Sequence, residues 1–159
     1  MATARTPARK TAPRPKDATA MLREDHVKVS ALFEQYDKSR SPARKKALVA
    51  TICKELRVHT ELEESIFYPA VKQALKDREL VPEANVEHAT IKSLIEQVEG
   101  VGPGGEEFDA KVKVMSEYVK HHVKEEQTEM FPKARKTKLD LKALGEQMAQ
   151  RKSELTAAG

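Results

Sequence analysis

The sequence predicts an all-α protein: an antiparallel up-and-down four-helix bundle with a short C-terminal helix and a disordered N-terminal tail. Composition points there first. Charged residues make up 34% of the chain and the hydrophobic set 39%, the profile of a soluble helical protein. Apolar residues then recur at helical spacing in four long segments. The 6 Gly and 8 Pro cluster instead of scattering. A length of 159 residues suits one core. With no Trp, 3 Tyr and 4 Phe, that core is mostly aliphatic.

Residues 1–16 show no periodicity and read as a disordered basic tail. The bundle is expected over 17–136 and a C-terminal helix and tail over 137–159. Asp17 is placed to N-cap the first helix, whose inner stripe is Leu22, His26, Val29, Phe33 and Tyr36. Ser39-Arg40-Ser41-Pro42 stops it, and Ser41-Pro42 starts the second. The second helix is expected from about Pro42 to Lys76, with Leu48, Ile52, Leu56, His59, Glu63 and Ile66 inward. Pro69 should kink or end it, because proline has no amide proton and clashes with the preceding turn. The third runs from about Val81 to Glu99, with Ala84, His88, Ile91, Ile95 and Val98 inward. A glycine-rich loop over 100–105 separates it from the fourth, about Glu106 to Arg135. That helix turns Phe108, Val112, Met115, Val119, His122 and Glu126 inward. Asp140 reads as the N-cap of the final helix, with Leu141, Leu144 and Met148 as its apolar stripe. Short connections make neighbouring helices antiparallel.

The formal net charge is +4, but its source is local. Arg5, Arg9, Lys10, Arg14 and Lys16 lie in the tail, which has no acid. Removing these five from the 29 basic residues leaves 24 against 25 acidic ones. A near-neutral body gives no electrostatic reason for nucleic acid on its surface, so only weak tail contacts are expected. The single cysteine, Cys53, rules out a disulfide framework and a thiolate-rich metal site, and fits a reducing cytoplasm. No apolar run approaches a membrane span, and no partner in a membrane is expected.

The chemistry lies in the histidines. Four of the 5 fall on inward stripes, one per main helix. Burying four imidazoles at one level is costly without a compensating partner, and a metal supplies one. His59 precedes Glu63 by four residues, and His122 precedes Glu126 by four. On a helix that spacing sets both side chains on one face. Imidazole with carboxylate suits iron, manganese or zinc better than calcium or magnesium. The segments beginning at His59 and His122 also look like copies. His, Glu and Pro recur at offsets zero, four and ten, with a bulky apolar pair before each proline. A repeated ligand pair on two helices implies a pseudo-symmetric site whose two carboxylates can bridge two metal ions.

The ordered set Asp25-His26, His59…Glu63, Glu87-His88 and His122…Glu126 resembles the hemerythrin-like, or HHE cation-binding, domain over about residues 18–136. The resemblance implies a four-helix bundle holding two Fe ions joined by an oxo bridge. By motif position, His26, His59, His88 and His122 become terminal ligands, and Glu63 and Glu126 become bridges. Two departures from oxygen-carrying members stand out. Lys92 occupies the position of a further ligand histidine, and Gln127 stands where carriers place an aspartate. Two imidazoles, two bridging carboxylate oxygens and the oxo bridge then leave one octahedral position open on each iron. That pattern favours dioxygen or hydrogen peroxide as the ligand and a catalase- or peroxidase-like reaction over simple oxygen storage. Two alternatives stay open: a non-enzymatic module that binds or senses oxygen, iron or nitric oxide, and a helical scaffold whose site is vestigial or loaded with zinc or manganese.

The neighbours receive plainer readings. His121 points about 100° away from His122 and is taken as a surface group or a support for a ligand, not as a ligand itself. Glu64, Glu87 and Glu125 are solvated or hydrogen-bond a ligand imidazole. Cys53 is a buried, inert thiol. Tyr36, Phe67, Tyr68, Tyr118 and Phe131 are mostly core, with Tyr36 also placed to be a redox partner. Lys92 is either solvated or a cation near the centre.

Overall fold

The computed structural model describes residues 16–102 and 104–158, all helix and connection, with no strand among them. The helices are α1 (Ala18–Lys38), α2 (Pro42–Leu62), α3 (Tyr68–Leu75), α4 (Leu80–Gly100), α5 (Glu106–Glu125), α6 (Phe131–Arg135) and α7 (Leu141–Ala158). The basic tail expected over residues 1–16 lies outside the described residues, apart from Lys16.

Local chemistry sets the helix starts. Asp17 accepts from the Ala20 amide at 2.9 Å and begins α1. Ser41 accepts from the Arg44 amide at 3.3 Å, with Pro42 in the first turn of α2. Asp77 accepts from the amides of Leu80 and Val81 and begins α4. Gly104 and Gly105 take φ of 85° and 120° in the turn before α5, a region open to glycine.

The expected kink or stop at Pro69 is replaced by something else. α2 runs on into α3 through a π-helical turn, Glu63–Phe67, and α5 into α6 through its copy, Glu126–Met130. In each, the amide of the residue before the proline (Tyr68 or Phe131) bonds the glutamate carbonyl five residues back. The wider turn takes in one extra residue and relieves the clash between the proline ring and the carbonyl four residues behind it. The rods therefore continue, but their inward face rotates. Ile66, expected inward, is half-buried, while Phe67, Tyr68 and Val71 are buried.

The α1–α2 and α4–α5 hairpins pack side by side as the four-helix bundle. Two apolar clusters fill it. One holds Val29, Phe33, Leu56, Ile91, Met115 and Val119; the other holds Leu22, Leu62, Phe67, Phe131, Leu144 and Met148. The second depends on α7, the expected C-terminal helix, which runs for 18 residues. α7 lies across α1 and α2. Gly145 permits the approach: a Cβ there would stand 2.2 Å from the Lys16 carbonyl oxygen. Among the described residues, no helix is long and apolar enough to cross a membrane.

Candidate metal centre

The layer between the two clusters is polar. His26, His59, Glu63, His88, His122 and Glu126 are all buried there, and Glu63 and His88 have no exposed surface. Each helical rod brings in its share, as the periodicity requires. His26, His59, Glu63 and Glu126 offer donor atoms within 4.8 Å of one another, and so do Glu63, His88 and His122. All six predicted residues therefore converge, in two sets that share Glu63.

The sets are near copies. His26 Nε2 lies 3.2 Å from His59 Nε2, and His88 Nε2 lies 3.1 Å from His122 Nε2. The ring pairs meet at 62° and 64°. Two nitrogens bound side by side on one octahedral metal, at bonds of about 2.1 Å, stand about 3 Å apart. Glu63 Oε1 is 2.6 Å from His59 Nε2 and 3.5 Å from His88 Nε2. Glu126 puts Oε1 3.2 Å from His26 Nε2 and Oε2 3.4 Å from His122 Nε2. Each carboxylate thus reaches both sets.

The outer ring nitrogens are held from behind. His59 Nδ1 donates to Asp25 Oδ2 at 3.0 Å, and His122 Nδ1 donates to Glu87 Oε1 at 3.2 Å. His26 Nδ1 donates to Gln127 Oε1 at 2.7 Å. Outward Nδ1–H bonds leave the Nε2 lone pairs facing inward, the tautomer a metal needs. His88 Nδ1 faces Glu64 Oε1 at 3.7 Å. Lys92 Nζ bonds that same Glu64 at 2.6 and 2.9 Å on the protein surface, so its charge sits behind His88 and away from the donors.

Charge adjusts to burial. Burial pulls the His59 pKa down, but the Glu63 carboxylate and the bond to Asp25 hold it well above the usual imidazole value. Burial likewise opposes protonation of His122, yet its bonds to Glu126 and Glu87 raise it to about 10. Burial pushes Glu63 up, and the His59 charge more than reverses this, holding it well below the ordinary carboxylate range. Even so, both oxygens of Glu63, Oε1 of Glu126 and Nδ1 of His88 are buried without a hydrogen-bond partner among the described residues. Orphaned carboxylate oxygens facing inward imidazoles fit a cation that the protein chain does not itself supply.

Tyr68 was read only as core, yet its hydroxyl donates to Glu126 Oε2 at 2.5 Å. It also stands 3.1 Å from His88 Nε2 and 3.3 Å from His122 Nε2. On an unbroken α-helix, nine residues after His59 would face the opposite side; the π-turn restores the phase. Burial and the nearby Glu63 and Glu126 carboxylates keep the phenol protonated, far above its ordinary pKa. In the repeat its counterpart is Phe131, stacked on His26 at 6.1 Å. Tyr36 belongs elsewhere: it bonds Asp109 and packs on Phe108 in the other cluster. Cys53 is buried, and burial pushes its thiol up to about 11, in keeping with an inert group. His121 is exposed. The sequence names Asp25 and Gln127 as motif positions without showing that they hold imidazoles from behind; Asp25 sits beside His26 just as Glu87 sits beside His88.

A helical bundle with a buried cluster of imidazoles and carboxylates defines a metal-binding protein. Comparison with known proteins agrees. Residues 17–134 match the hemerythrin HHE cation binding domain, and the chain belongs to that family. The structure superposes on a crystal structure of a hemerythrin HHE cation binding domain-containing protein, the Rv2633c homolog from Mycobacterium kansasii. The TM-score is 0.77 at 24% identity, over 90% of this chain and 89% of that one. A DNA nickase from Nostoc sp. (strain PCC 7120 / SAG 25.82 / UTEX 2576) is 31% identical over 111 residues. That stretch is 70% of this chain but only 31% of the nickase.

Proposed function

We propose that the buried layer holds two iron ions joined by an oxo bridge, and that the protein uses them to bind or turn over dioxygen or hydrogen peroxide in a reducing cytoplasm. His26, His59, His88 and His122 serve as terminal ligands, and Glu63 and Glu126 as bridges. The observation carrying this reading is the pair of near-identical donor sets spanned by two carboxylates with orphaned oxygens. When bound, iron supplies reversible electron transfer and a Lewis-acidic seat for a small oxygen ligand.

The chain's own residues do the rest. Asp25, Glu87 and Gln127 fix three imidazoles in the tautomer that presents Nε2. A cavity of about 20 Å³ abuts the four imidazoles and is lined by Val29, Leu56, Ile91 and Val119. It has room for one water-sized molecule, which suits a diatomic or peroxide ligand. The Tyr68 hydroxyl holds a proton at Glu126 Oε2, within reach of the His88–His122 set and absent from the other. The phenol crowds the His88–His122 set, so the His26–His59 set would leave more room for a small ligand if metal were bound.

Isolation with iron under air, metal analysis and oxygen evolution from added peroxide test the reading. Two irons per chain and peroxide turnover are expected. Iron binding with peroxide untouched would remove the catalase-like step and leave a binding or sensing module, which the small apolar cavity equally suits. Protein that retains no iron would end the proposal.

A further inference from the structure

The two halves of the centre differ in what lies just outside them. In the first half, Asp25 gives Oδ2 to His59 and Oδ1 to the Lys152 ammonium of α7, at 2.6 Å. Around this pair, Met21, Val58 and Leu62 belong to the apolar cluster that α7 completes. Superposing the repeats by sequence, the counterparts of these three are Glu83, His121 and Glu125. Glu87 repeats Asp25, with one oxygen on His122 Nδ1. Its other oxygen faces His121 Nε2 at 3.7 Å, and that nitrogen lies 3.2 Å from Glu125 Oε1. Donor atoms of Glu87, His121 and Glu125 all fall within 4.8 Å of one another. Where the first half places a lysine cation on its acid, the second offers an imidazole and two carboxylates.

We propose that Glu87, His121 and Glu125 form an outer site for a divalent transition-metal cation, and that metal reaches the buried centre from there. A small cleft runs inward at this point, lined by Glu83, Glu87 and Glu125 and, deeper, by His122 and Glu126. Glu126, which is buried, forms part of its wall. Carboxylates at the mouth of a cleft raise the local concentration of cations and speed their capture. The added imidazole favours iron, manganese or zinc over calcium and magnesium. At the matching spot on the other half, α7 packs over the surface and Lys152 repels cations.

This inference rests on the buried layer being a metal centre, and the experiment separates the two. Mn2+ is added to the full chain already loaded with iron, and free Mn2+ is followed by its EPR signal. Iron uptake by the metal-free chain is timed separately. Wild type should bind one further Mn2+ per chain. The double variant His121→Ala with Glu125→Gln should lose it and load iron about tenfold more slowly, to the same final content. Glu55→Gln, a half-buried acid on α2 paired with Lys28, should behave as wild type. Loaded wild type that leaves Mn2+ free, or a double variant that loads at the wild-type rate, overturns the outer site. A wild type that takes up no iron at all sinks the reading under Proposed function instead, and this inference with it.

Discussion

The α1–α2 half and the α4–α5 half of the centre agree in their donors and disagree in nearly everything around them. The paired Nε2 separations differ by only 0.1 Å, at 3.2 and 3.1 Å. One step outward, Tyr68 faces one half and Phe131 the other, and a lysine backs Asp25 where a histidine faces Glu87. Ligation tolerates little error in geometry, so the repeat keeps its donors. The surrounding shell has no such constraint and is where the halves can take different tasks. One has its supporting acid backed by α7 and Lys152; the other has its acid facing the exposed His121.

Changes that break this likeness or sharpen the difference can be ranked. Glu63 belongs to both halves, so Glu63→Ala should have the largest effect. Metal content should fall below one ion per chain, and the melting temperature should drop on the order of 10 °C from that of loaded protein. Metal analysis and thermal unfolding check this, and stripping wild type with a chelator should give a similar drop. Retention of two ions would contradict the bridging role.

Acidity comes next. The folded His122 pKa, about 10, lies above its ordinary value of 6.5. In the metal-free chain this group therefore adds stability that is complete below about pH 6.5 and is lost as pH climbs through about 10. A metal needs the deprotonated ring, so affinity should move the other way. It should rise by about tenfold per pH unit for each competing proton, with protons released on binding. An affinity flat between those limits would show that His122 carries no extra proton in the metal-free chain.

The supporting acids separate the halves. Asp25→Asn and Glu87→Gln should each weaken metal binding by about 10–100-fold. Asp25→Asn should cost more, because it also leaves the part-buried Lys152 ammonium beside a neutral amide. The reverse order, read by competition titration, would undo the contrast between a lysine-backed and a histidine-faced half.

Two smaller effects concern stability. Gly145→Ala should force α7 away from the Lys16 carbonyl and cost about 1–3 kcal/mol, seen in denaturant unfolding. Tyr68→Phe makes the halves more alike. It should leave metal content unchanged and cost the metal-free chain about 1–2 kcal/mol by stripping Glu126 Oε2 of its donor.

Much of the architecture was readable in the primary structure because it follows from period alone. The inward stripes of α1, α4 and α5 are buried as expected, and Asp17 and Ser41 cap where their chemistry puts them. The convergence of the six donors was readable for the same reason: each lies on a stripe, and the stripes share one interior. Tyr68 was not. A fixed 100° step cannot carry the extra residue of a π-turn, so everything after Glu63 in that rod was read out of phase, Ile66 included.

The chain by itself settled what local rules govern: four amphipathic rods, their caps, and a doubled pair of imidazole and carboxylate on inward faces. Only the tertiary structure decided which oxygen holds which ring, that α7 closes one half with Lys152, and that a phenol stands over the other. These are distances between residues far apart in sequence, such as Tyr68 to Glu126 and Asp25 to Lys152. Helical periodicity sets the direction of a side chain about its own axis, whereas packing between axes sets what it meets.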